Sequence, residues 1–141
     1  MERTPRQKRL AMIRWLWIVP TAILVWYGMF AVGSGLYSLA LGFCPAEQML
    51  SGFCIADWFK PVERGIFIGC AALAGFAIVV VTALIAPAYR LRVAAAMFGA
   101  GALVATSMVL QTGAMAEFVA ALVGGIVGLL VAARLPQSIE L

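Results

Sequence analysis

Two cysteines, one acid beside a glutamine and a threonine, and a complete lack of histidine define the chemistry open to this chain of 141 residues. Cys44 and Cys54 enclose nine residues that include Pro45 and Gly52, both suited to turning the chain back on itself. In an oxidising compartment such a pair forms a disulfide, and closing so short a loop contributes about 2–3 kcal/mol in the chain-entropy model. A working redox pair is usually Cys-x-x-Cys, where close spacing lowers one thiol pKa. The wider gap therefore predicts a structural bridge, with a thiol-redox membrane protein as a second alternative function. Four-span membrane proteins that pass electrons from disulfides to quinone carry two outward cysteine pairs. This chain has one pair, and its third cysteine, Cys70, sits inside an apolar stretch.

Gln111, Thr112 and Glu117 form the other polar group, a candidate outer site. An acid there serves the positive end of a following helix or gates an ion or substrate. Without histidine there is no histidine-based triad, two-histidine zinc site or histidine-ligated haem. Nor is there a glycine-rich phosphate loop ending in Lys and Ser or Thr. The sequence thus predicts no catalytic residue, no metal and no required cofactor, and hence a protein that is not an enzyme. Trp26 and Tyr27 fall deep in an apolar stretch, and a bound lipid or quinone among such aromatics is the one small-molecule reading left. Four-span multidrug exporters place an essential carboxylate in the middle of their first span. The corresponding stretch here contains none.

These residues are carried by a chain that is 65% hydrophobic and 11% charged, with a mean hydropathy of +1.05. That balance predicts a membrane protein rather than a soluble domain. Four charge-poor stretches read as spans over about residues 15–42, 62–86, 93–112 and 118–135, each long enough to cross a ~30 Å hydrocarbon layer. They divide the chain into a basic tail (1–14), a transmembrane domain (15–135) with a loop at 43–61, and a short tail (136–141). The run from Trp15 is too long and too rich in tryptophan for a cleaved signal peptide. Pro20 either kinks the first span or marks its true first turn. Pro61 suits the first turn of the second span, and Pro87 stops it.

Eight of the ten basic residues fall in the N-terminal tail, in the link at 88–92 or at Arg134, while Lys60 and Arg64 stand on the opposite face. Under the positive-inside rule this puts both termini in the cytoplasm and the cysteine loop outside. The charge belongs to membrane orientation, so nucleic acid is not an expected partner. Trp15, Trp17 and Trp58 read as anchors at the membrane–water boundary. The composition suits a bacterial inner membrane. The fold class is therefore all-α: a polytopic membrane protein of four helices in a compact bundle.

Small residues recur at four-residue spacing in every span, as in Ala31/Gly35, Ser34/Ser38, Ala71/Gly75, Ala95/Gly99, Ala121/Gly125 and Gly124/Gly128. Each pair puts a flat patch on one helix face, where a second helix approaches closely. Such patches either form the internal seams of the bundle or dock a partner, with Gly124, Gly125 and Gly128 the candidate docking face. Scant chemistry and many small-residue faces predict a non-catalytic accessory or assembly subunit packing against other membrane-protein subunits in the lipid bilayer. A small oligomeric transporter or channel is the alternative.

Overall fold

A computed structural model describes residues 5–86 and 88–135, with side chains from Met12 onward. The expectations for Pro87, for residues 1–4 and for the tail 136–141 lie outside the described residues. Helices occupy Pro5–Gly42 (α1), Phe59–Ile85 (α2), Arg90–Thr112 (α3) and Met115–Arg134 (α4). All four are long and apolar enough to cross a membrane, α1 over its part Met12–Gly42. Every helix starts earlier than hydropathy places it, because the charged residues there (Arg and Lys before the first three spans, Glu117 before the fourth) oppose burial in lipid but favour helix. α1 therefore continues back through the basic tail to Pro5, a residue whose missing N–H is harmless in a first turn. Pro20 is consequently interior to α1 and does not begin it. Pro61 falls in the first turn of α2, as its chemistry requires.

Successive helices run antiparallel, so the start of α1, the α2–α3 link and the end of α4 share one end of the molecule. This arginine end lies opposite the disulfide end. α2 is central: α4 packs most closely against it, α1 flanks it, and α3 touches both α2 and α4. The compact bundle expected from sequence is therefore open on the α1 side. α1 meets α2 through one face, where Gly33 lies against the Cys70 thiol, and it reaches α3 where Ile18 clusters with Ala86 and Val93. A second cluster of Val79, Ala83, Ala94 and Ala132 joins α2, α3 and α4 nearby. Thr82 is wholly buried, and its hydroxyl donates to the Ile78 carbonyl on its own helix (2.6 Å). Burial at these sites is confined, and most large apolar side chains face outward, as a hydrocarbon solvent permits.

Arg14 fastens the arginine end. Its Nε donates to the Ile85 carbonyl at 3.0 Å and an Nη to the Leu84 carbonyl at 3.4 Å. The last carbonyls of a helix have no intrahelical donor, and a cation there also meets the negative end of the helix dipole. Arg14→Gln should lower stability by about 1 kcal/mol. The check is the thermal midpoint of the detergent-solubilised protein; an unchanged midpoint would mean that these bonds do not stabilise the α2 terminus.

The loop between α1 and α2 is more ordered than its sequence announces. A 3-10 turn at Ala46–Gln48 leads into a two-stranded antiparallel hairpin, Met49–Leu50 (β1) with Phe53–Cys54 (β2), paired Met49 to Cys54 and Leu50 to Phe53. Ser51 and Gly52 both have positive φ, at 51° and 84°, the signature of the tight turn whose twist suits a two-residue hairpin.

Candidate functional site

Cys44 and Cys54 are joined in a disulfide, with their Cα atoms 5.9 Å apart. The bridge pins β2 to the end of α1, and Cys54, Ala56 and Phe59 form a small core there with Tyr37, Ala40 and Leu41. Tyr37 meets the Phe59 ring edge-on at 5.7 Å and lies 6.1 Å from that of Phe67. Phe59 is 2% exposed and points into this core, whereas its neighbour Trp58 is exposed. Outward apolar groups also include Leu50, Phe53 and Ile55 on and beside the hairpin, with Phe43 at the end of α1. Replacing both bridged cysteines by serine should lower stability by about 2 kcal/mol and speed amide exchange over residues 46–56. A chain whose function and exchange are both unchanged would leave the bridge without either a structural or a redox role.

The polar residues come together only in part. Gly113, in the left-handed conformation at φ 73°, ends α3 by donating its N–H to the Val109 carbonyl. The turn is just Gly113–Ala114, so Glu117 lies in the first turn of α4 rather than ahead of it. An acid in that position meets the positive end of the helix dipole. Thr112 donates to the Met108 carbonyl and accepts from the Ala114 N–H. Gln111 instead turns back to the Ser107 carbonyl (3.1 Å), on an exposed part of α3.

Thr112 and Glu117 border an open cleft of about 470 Å³ whose other wall is the start of α2, with Lys60, Glu63, Arg64 and Phe67. Sequence reasoning takes Lys60 and Arg64 as orientation markers and counts Glu63 only among acids of the outer loop with no expected catalytic role. No local signal joins them to Glu117, which stands more than fifty positions away; antiparallel packing of α2 and α4 does so. None of the four charged side chains is ion-paired or hydrogen-bonded through its side chain among the described residues. The lining is confined to the disulfide end. It does not follow the helices toward the arginine end, so the cleft is a surface recess rather than a passage.

The small-residue faces divide sharply. Gly124, Gly125 and Gly128 are buried within the chain. A Cβ built on Gly124 would fall on the Ala72 carbonyl group, and one on Gly75 would fall on that of Ala121. At Gly128 it would come within 3.0 Å of the Phe76 carbonyl oxygen, and the Phe98 ring of α3 covers Gly125. The face offered by sequence as a partner dock is thus occupied by α2, because backbone contact there draws α2 and α4 together. Gly28, Gly35 and Gly42 on α1, and Gly99 and Gly101 on α3, have nothing within 4 Å of a built Cβ.

The aromatics complete the picture. Trp15 and Trp17 are exposed on α1 toward the arginine end, and Trp58 is exposed at the start of α2. Trp26 and Tyr27 meet edge-on at 5.0 Å on the outer surface of α1. The hydroxyls of Thr82, Thr106 and Ser107 donate to carbonyls of their own helices. Among the described residues no group of three or more acids or cysteines is placed to hold a metal ion.

No family model, curated protein or solved structure matches this chain. What the helices define is a class: an integral membrane protein of the helical type, with four candidate spans and a disulfide-bonded loop.

Proposed function

We propose that this protein is a non-catalytic accessory or assembly subunit that binds a larger membrane-protein complex through α1. The observation that carries the reading is the asymmetry of that helix. Ile18, Ala22 and Gly33 face inward and are buried, while Gly28, Ala31, Gly35, Ser38 and Gly42 follow one another along the opposite face and are exposed. Residues spaced by seven fall on nearly the same side of a helix, so the three glycines form a continuous shallow channel. In a bilayer, small residues gain little from contact with lipid and much from a second helix that reaches the backbone. Among the described residues no helix lies on that channel, and a partner subunit would fill it.

The remaining parts of the reading are its setting. Both termini face the cytoplasm of a bacterial inner membrane, in line with eight of ten basic residues falling, in sequence, in the N-terminal tail, the 88–92 link or at Arg134. The disulfide loop then lies in an oxidising compartment. Extraction in a mild detergent followed by mass spectrometry of co-purifying proteins tests the proposal directly. A defined membrane protein should be recovered in near-stoichiometric amount, and a chain that migrates alone would overturn the reading.

A further inference from the structure

The cleft at the disulfide end carries two cations and two acids in one lining, and its place along α2 indicates what would lie there. α2 carries Lys60, Glu63 and Arg64 in its first two turns and no further charge through Ile85. The cleft therefore opens where headgroups meet hydrocarbon. Lys60 and Arg64 are exposed, whereas Glu63 and, across the cleft, Glu117 are half-buried. Phe67 and Met115 add exposed apolar surface to the same lining, 42% and 64% accessible.

We infer that this cleft binds the headgroup of a phospholipid bearing a primary amine, its phosphate on Lys60 and Arg64 and its ammonium on Glu63 and Glu117. A phosphate monoanion suits a guanidinium beside an ammonium. A primary ammonium brings three donors to two carboxylates that the protein leaves without side-chain partners. A wholly anionic headgroup would meet the acids unfavourably, and a quaternary ammonium would have no N–H to offer them. Phe67, nearly a turn further along α2 than Arg64, continues the lining toward the acyl region, which favours a lipid over the same headgroup free in water. This inference stands apart from the proposed role of α1: a lipid-binding result bears on the cleft alone, and a missing partner protein bears on α1 alone.

The test is native mass spectrometry of the full-length protein with phosphatidylethanolamine, phosphatidylcholine and phosphatidylglycerol of matched acyl chains, with soluble phosphoethanolamine as competitor. Phosphatidylethanolamine should be retained about fivefold or more over phosphatidylcholine, through charge-assisted hydrogen bonds that the quaternary amine cannot make. Glu63→Gln/Glu117→Gln should erase that preference and raise phosphatidylglycerol binding, because Lys60 and Arg64 then act uncompensated. Lys60→Gln/Arg64→Gln should reduce retention of all three lipids. If the paired acid variant does not fold, the two single variants carry the test, each expected to lower the preference partway. Equal retention of the ethanolamine and choline lipids by the native chain would overturn the inference. So would a preference that survives loss of both acids, and so would displacement of the lipid by an equal concentration of soluble phosphoethanolamine.

Discussion

Gly124→Leu is expected to part α2 from α4 and to yield a protein that no longer keeps its four helices assembled. A single methyl at this position already coincides with the Ala72 carbonyl group, and the obstacle is backbone, which cannot rotate aside. Adding one or two carbons to a closed contact costs about 1–3 kcal/mol, and four added carbons at a backbone-to-backbone contact should exceed that range. The same reasoning predicts a graded series. Gly124→Ala and Gly75→Ala should each lower the thermal midpoint. Gly99→Ala, on a helix face with nothing within 4 Å, should raise stability by about 0.5–1 kcal/mol through the greater helix propensity of alanine. Thermal unfolding in detergent, followed by circular dichroism and size-exclusion chromatography, reads all of these. A Gly124→Leu protein with an unchanged midpoint would mean that α2 and α4 do not meet at this seam. A Gly99→Ala loss as large as that of Gly124→Ala would mean that openness at the glycine does not decide the sign.

That series also marks the boundary between what residues announce and what only packing decides. The spans were legible because a charge in hydrocarbon is costly, so Arg14, Arg64, Arg90 and Arg134 bracket them. Their helical ends were not, because lipid depth and helix propensity are separate properties that Arg90 and Lys60 satisfy in opposite senses. The disulfide could be read from Cys44, Cys54 and the turn-forming residues between them. The hairpin it closes was available only in Ser51-Gly52, a weak turn signal between strands of two residues each. Four-residue spacing specifies which face of a helix is flat but not what lies against it. Gly75 and Gly124 are in contact with neighbouring backbone while Gly65, Gly69, Gly99 and Gly101 are open, although all were equally plausible as sequence. The cleft shows the same limit: Thr112 and Glu117 drew notice as a local polar pair, but their opposite wall comes from residues 60–67, which no periodicity connects to them.

The open glycines of α1 give the second large effect. Gly28→Leu/Gly35→Leu should abolish recovery of a partner complex while leaving the isolated chain at least as stable as before. Both positions lie opposite the buried face of Ile18, Ala22 and Gly33, and neither has an atom within 4 Å where a Cβ would stand. Two leucines there meet only lipid in the free protein, whereas in a complex they would occupy the space of an approaching backbone. A clash of about 1–3 kcal/mol per site lowers affinity by roughly five- to 150-fold for each, enough across two sites to remove a stoichiometric partner from a purification. The contrast with the α2–α4 seam is what makes the result informative. Gly124→Leu should fail as a folded protein, whereas the α1 variant should fail only as a subunit. If the α1 variant retains its partner at the native ratio while its thermal midpoint is not lowered, the glycine channel faces lipid and the accessory role loses the observation on which it rests.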